Sequence, residues 1–188
     1  EGETLLGAKV GLIGFGRIGR AIVELLAPFG VRFLVFDPYA DHSVPRGGHV
    51  EFASLERVLR ASRLLVLAAA LTPETTNLLN RARLARLATG TSIINVARGG
   101  LVDLDALTEE VVAGRLRCAL DVTDPVEPLP DGHPLRTAPG AILTPHVGAG
   151  ADSVRRAMAG VVLDELERFF ARRRVRNRVT PAMLARMT

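Results

Sequence analysis

Along the chain, short uninterrupted apolar runs alternate with stretches in which apolar residues recur every three or four positions. The runs fall at residues 9–14, 31–36, 50–52, 64–68, 92–96, 117–121 and 141–143. They have strand length and mostly lack an alternating polar face, as strands buried on both sides should. Helical periods fall at 17–28, 54–61, 80–88, 103–113 and 151–173. Ser54, followed by Arg57, and Asp103, at the head of an acidic first turn, stand where the first free N–H groups of a helix need an acceptor. This alternation predicts a doubly wound α/β domain, a parallel sheet with helices on both faces. The proline-rich stretch 124–139 breaks it and is expected to be loop with a short helical turn. Periodicity is lost after Arg174, so the domain is expected over 1–174, with 175–188 a tail that needs another surface to pack on.

Composition narrows the class without naming a function. The 188 residues are 48% hydrophobic and 23% charged, enough apolar content for one substantial core. No stretch approaches the ~20 apolar residues of a membrane span, and the acidic start Glu1-Gly2-Glu3 is unlike a secretory leader. A soluble, cytoplasmic protein without membrane contact is expected. Cys118 is the only cysteine, so one chain can build no disulfide, and no His, Cys and carboxylate grouping has metal-ligand spacing. Cys118 falls in an apolar run and reads as core. The net charge of +4 is carried almost wholly by arginine. The run Arg172, Arg173, Arg174, Arg176 and Arg178 reads as a solvated helix end rather than a nucleic-acid surface, because aromatic residues make up only 4%. His42 and His49 are expected in surface loop, and His133 at a turn.

The first strand runs into Gly14-Phe15-Gly16-Arg17-Ile18-Gly19 and then a helix. Strand, glycine turn and helix in that order form the dinucleotide-binding fingerprint of a Rossmann-type sheet. Gly14 permits the tight turn, Gly16 lets backbone approach a pyrophosphate, and Gly19 lets the helix close on the strand. Arg17 and Ile18 open the helix, whose free N–H groups and positive dipole end suit phosphate. Asp37 closes the second strand ahead of Pro38, near the offset at which an acid holds the ribose hydroxyls. It would repel a 2′-phosphate, which favours NAD. The plainer reading is a strand cap before Pro38. Arg32 and Arg46 are the nearest cations for a 2′-phosphate, so NADP stays open.

Further motifs stand in order at predicted strand ends: Leu71-Thr72-Pro73-Glu74-Thr75, Asn95-Val96-Ala97-Arg98-Gly99-Gly100, Ala119-Leu120-Asp121-Val122 and Thr144-Pro145-His146-Val147-Gly148-Ala149. Ligands of open α/β sheets bind outside the carboxyl ends of strands. An arginine there can grip a carboxylate bidentately, and a histidine can pass a hydroxyl proton near neutral pH. With the glycine loop, these segments resemble the D-isomer-specific 2-hydroxyacid dehydrogenase family from about Leu6 to Arg168. The resemblance implies NAD as cofactor and a small 2-hydroxy or 2-oxo acid as substrate. It implies catalytic roles for Arg98, Glu127 and His146, a nicotinamide carboxamide contact for Asp121, and cofactor contacts at Thr72, Pro73, Val96, Ala97, Gly148 and Ala149. It also implies a homodimer through this domain and a substrate domain built largely from residues before the glycine loop, where this chain has only a short lead. The chain is therefore expected to be one domain of a longer protein, able to bind NAD and turning over poorly if at all. Its tail is expected to return to the missing domain.

One position departs from the family pattern. The family's glutamate falls where this chain has Val126, and Glu127 comes one residue later, with Asp124 the other acid at hand. A different class of function, an NAD-sensing corepressor-like interaction module, also fits these motifs. A formate dehydrogenase relative is disfavoured, since a glutamate rather than a glutamine stands to face the histidine.

Overall fold

The computed structural model describes residues 4–40 and 49–184. Seven strands, β1 (Lys9–Ile13), β2 (Arg32–Phe36), β3 (His49–Phe52), β4 (Leu64–Leu67), β5 (Ser92–Asn95), β6 (Arg117–Leu120) and β7 (Ala141–Leu143), form one sheet in the order β3-β2-β1-β4-β5-β6-β7. Every pairing is parallel. The chain starts in the middle, winds outward through β2 and β3, crosses back to β4 and winds outward the other way. The order therefore reverses between β1 and β4, and a crevice opens at their carboxyl ends.

Residues alternate between faces. Ile13, Leu34, Leu65, Leu67, Ile93 and Leu120 point into one core, where α2 (Leu55–Ala61), α3 (Arg81–Leu84) and α4 (Leu104–Val112) add Val58, Leu59, Leu84, Leu107 and Val111. Val10, Leu12, Phe33, Val35 and Val66 point the other way, onto Val23 of α1 (Arg17–Leu26) and Phe15. The two faces are covered unequally. The 19-residue α5 (Asp152–Phe170) buries none of its residues, and Ile142 of β7 is 67% exposed. Helices on both faces therefore hold over the glycine-loop half, while the second face is thin toward β7.

Local chemistry explains the boundaries. Ser54, Asn80 and Asp103 accept the N–H groups of Arg57, Arg83 and Ala106 at the starts of α2, α3 and α4. The helix expected over 80–88 is cut to Arg81–Leu84, because Arg86 and Leu87 bond three residues back, to Arg83 and Leu84, ahead of the left-handed Gly90. Likewise α1 passes into a 3-10 turn, Ala27–Phe29, at Pro28. The loop after β6 holds the short 3-10 turn Pro134–Arg136, with His133 accepting from Leu135 N–H as its cap. His49 opens β3 instead of lying in loop, and His42 lies outside the described residues. Cys118 is buried in β6, and burial pushes its thiol up to about 11. The segment after α5 adds a short helix, α6 (Pro181–Leu184). No described helix is long and apolar enough to cross a membrane.

Candidate active site

The three glycines of the loop meet three different constraints. Gly14 has φ +96°, and a Cβ there would lie 2.6 Å from the Ala68 carbonyl carbon and the Ala69 nitrogen, so the turn rests directly on the end of β4. A Cβ on Gly19 would lie 2.3 Å from the Gly14 carbonyl oxygen. Around Gly16 a Cβ would meet nothing within 4 Å, and α1 begins there with no side-chain cap. Backbone donors therefore face an open cradle, with Arg17 and Ile18 exposed behind them, which is the geometry a pyrophosphate fits.

Asp37 ties the second strand to this loop. Its Oδ2 accepts Phe15 N–H at 2.7 Å and its Oδ1 accepts Tyr39 N–H at 2.8 Å. Each carboxylate oxygen keeps a further lone pair for a ribose hydroxyl. Phe15 is buried edge-on against Phe52, which anchors the loop from below. Across the crevice the exposed Pro73 follows Thr72, whose turn is closed by Thr72 N–H to Thr75 Oγ1 at 2.7 Å. Tyr39 Oη donates to Glu74 at 2.7 Å, joining the two loops beyond the exposed Pro38. Arg32 sits at the opposite end of β2 from Asp37, about 16 Å away at strand rise, so it is no partner for a 2′-phosphate. Arg46 lies outside the described residues.

Arg98, Asp121 and His146 follow the adjacent strands β5, β6 and β7. Asn95, buried at the end of β5, accepts Ala97 N–H at 3.1 Å and donates to the Arg98 carbonyl at 2.9 Å. It pins a loop in which Ala97 is buried while Val96 and Arg98 are exposed. The Arg98 guanidinium bonds back to the Ala97 carbonyl through one nitrogen, leaving the rest of its fork free to bind.

His146 has a left-handed backbone, φ +53°, at the centre of a turn built on Asp121. Its N–H donates to the Asp121 carbonyl, while the Asp121 carboxylate accepts Thr144 Oγ1 at 2.6 Å, Val147 N–H at 2.9 Å and Gly148 N–H at 3.0 Å. Partial burial pushes this carboxyl up, but those three hydrogen bonds and the nearby His146 outweigh it and hold it below the ordinary carboxylate range. About one acceptor position is left for a carboxamide. Ala149 is exposed just beyond.

The imidazole Nδ1 lies 2.6 Å from Glu127 Oε1. The other oxygen, Oε2, accepts Thr123 N–H at 3.1 Å, and Thr123 Oγ1 donates to the Val126 carbonyl at 2.7 Å. This tight turn brings Glu127 to the ring, while Asp124 Oδ2 lies on the Gly100 side. Beside the pair, Asp121, Glu127, Leu129, Arg136 and Thr144 wall a cavity of about 190 Å³. A larger hollow of about 530 Å³ on the flank of α5 is lined by that helix and its end alone, away from these loops.

Sequence reasoning placed Asn95 and Gly99 in a motif without a role and passed over Thr123. A Cβ on Gly99 would lie 2.2 Å from the Thr123 carbonyl carbon, so the Arg98 and Glu127 loops touch through backbone. The signal was a buried amide and a hydroxyl residue at strand ends, beside the charged residues that drew attention.

Known proteins with this arrangement point one way. Residues 1–148 match the model of the D-isomer specific 2-hydroxyacid dehydrogenase NAD binding domain. A hydroxypyruvate reductase of Thermotoga maritima is 36% identical over 169 residues, which cover 88% of this chain and 53% of that protein. The NAD-dependent formate dehydrogenase of Staphylococcus aureus, solved with NAD, superposes with a TM-score of 0.75 at 35% identity, over 92% of this chain and 51% of the other. A D-isomer specific 2-hydroxyacid dehydrogenase of Xanthobacter autotrophicus Py2, solved with NADPH and MES, gives 0.77 at 34%, over 97% and 74%. The chain spans about half the length of the curated relative. With the glycine loop, the acid at the end of β2 and the strand-end loops in register, this chain belongs to the D-isomer specific 2-hydroxyacid dehydrogenase family and corresponds to its NAD binding domain.

Proposed function

We propose that the chain is the cofactor half of an enzyme that interconverts a small 2-oxo acid and its D-2-hydroxy acid, with NAD preferred over NADP. The observation that carries this reading is the His146–Glu127 pair. A carboxylate can only accept, so it selects the tautomer with the proton on Nδ1 and leaves Nε2 to face a substrate oxygen. In the reducing direction the doubly protonated ring gives its Nε2 proton to the 2-oxygen and keeps its Nδ1 proton, which it donates in a hydrogen bond to Glu127. In the oxidising direction Nε2 takes that proton back. Arg98 holds the substrate carboxylate and draws charge toward the reacting oxygen. Gly16, Arg17, Ile18, Asp37 and Asp121 would hold the dinucleotide, whose nicotinamide would supply or accept the hydride exchanged with carbon 2. Thr72, Pro73, Pro38, Val96, Ala97, Gly148 and Ala149 border it.

Asp37 supports the preference for NAD, being a carboxylate with no described cation beside it at the end of β2. The bare apolar side chains of α5, among them Met158, Val162, Leu166 and Phe169, call for protein cover. We attach to them a substrate domain and a homodimer through this domain, in a cytoplasmic protein. The test is turnover of glyoxylate and hydroxypyruvate with NADH by a full-length enzyme carrying this chain, as wild type and as His146→Asn. The wild type should turn over, and the variant should lose turnover while binding NADH normally. Equal turnover by both would remove His146 from the chemistry.

A further inference from the structure

After α5 the chain reverses at Arg172, a left-handed residue with φ +54°, and comes back alongside the helix. Arg176 N–H donates to both oxygens of Glu165, at 3.1 and 2.9 Å, and Asn177 Nδ2 donates to Glu165 Oε1 at 3.0 Å. A carboxylate has no proton to give, so Glu165 dictates which end of the Asn177 amide it receives. The amide oxygen is thereby turned outward, where it accepts from Nη2 of Arg17. Arg17 is the first residue of α1, next to the open cradle at Gly16. A three-residue chain of hydrogen bonds thus joins α5 and the returning segment to the mouth of the glycine loop. Nothing in the dinucleotide fingerprint calls for it.

We infer that the returning segment is part of the dinucleotide site, with Asn177, backed by Glu165, a positioning residue that holds the Arg17 guanidinium where it pairs with the pyrophosphate. This rests on the reading of the glycine loop as a dinucleotide site. An arginine at an exposed helix start has many rotamers, and a ligand that fixes it loses that entropy from its affinity. Tethered through one nitrogen, the side chain is ordered once, on folding, and the other N–H groups of its fork stay free for phosphate oxygens. Asn177 therefore acts on affinity through Arg17 and not by touching the ligand.

The test titrates NADH and adenosine into the 188-residue chain as wild type, Asn177→Ala, Arg17→Ala and the double variant. Asn177→Ala should weaken NADH binding by about three- to tenfold, the effect of one lost hydrogen-bonded restraint. Adenosine, which has no pyrophosphate, should bind the wild type and Asn177→Ala alike. In the Arg17→Ala background, Asn177→Ala should add no further loss. Unchanged NADH affinity in Asn177→Ala overturns the inference alone, as does equal weakening of adenosine or a full further loss in the double variant. Failure of the wild-type chain to bind NADH overturns the dinucleotide reading and the inference with it.

Discussion

The glycine loop and the Arg98–Glu127–His146 edge lie at the carboxyl ends of one sheet but are held in place by different means. At the glycine loop the constraint is steric. Gly14 and Gly19 sit where a Cβ would overlap backbone, and the loop's shape follows from atoms that are missing. At the other edge one backbone contact, Gly99 against Thr123, joins a constraint that is mostly polar. Asp121 holds the His146 turn through three donors, Thr123 holds Glu127, and Asn95 holds the loop of Arg98. Backbone contact leaves no room to relax, whereas hydrogen-bonded side chains in half-exposed loops can rearrange. A region that binds one constant ligand fits the first design, and a region that must pass protons fits the second.

The largest effect should come from breaking the steric side. Gly14→Ala combines a positive φ with overlap of three backbone atoms at the end of β4, and should cost at least about 3 kcal/mol in urea unfolding. On the polar side, Asp121→Asn should cost about 1–2 kcal/mol and speed amide exchange at Val147 and Gly148, with the sheet intact. The same carboxylate sets a pH dependence. Its folded pKa lies below the unfolded carboxylate value of about 3.9, so its contribution is complete above that pH and is lost as pH falls through the folded value. The Val147 and Gly148 amide resonances should therefore show a step below about pH 4 that is absent from Asp121→Asn. Smaller still, Thr123→Val should leave stability near wild type but lower turnover of the full-length enzyme about threefold, loosening the Nδ1-protonated tautomer of His146 in ¹⁵N spectra. Thr123→Ser should restore both. Cys118 should show no measurable alkylation in the native chain near pH 8, since its thiol is buried and pushed up to about 11.

The same contrast explains what could be read from the chain. Strands in parallel sheets announce themselves as apolar runs, and all seven lie where those runs fall. The glycine loop was legible because its constraint is local: strand, turn and helix are contiguous. Whether Glu127 or Asp124 meets His146 was not legible, because the answer depends on how Thr123 folds the turn between them. The role of Asn95 was not legible, because a buried amide looks like any polar residue until its partners are known. Arg32 seemed near Asp37 in sequence yet lies a full strand away in space. The return of Asn177 to Arg17 pairs residues at opposite ends of the chain, which no periodicity reports.

Calorimetric titration of the chain with NADH and NADPH, alongside Asp37→Ala, bears most directly on the central claim that the crevice between β1 and β4 holds NAD. NADH should bind the wild type more tightly than NADPH, and Asp37→Ala should weaken NADH strongly while narrowing the gap between the two. A folded chain that binds neither cofactor, or an Asp37→Ala variant that binds NADH as the wild type does, would contradict it.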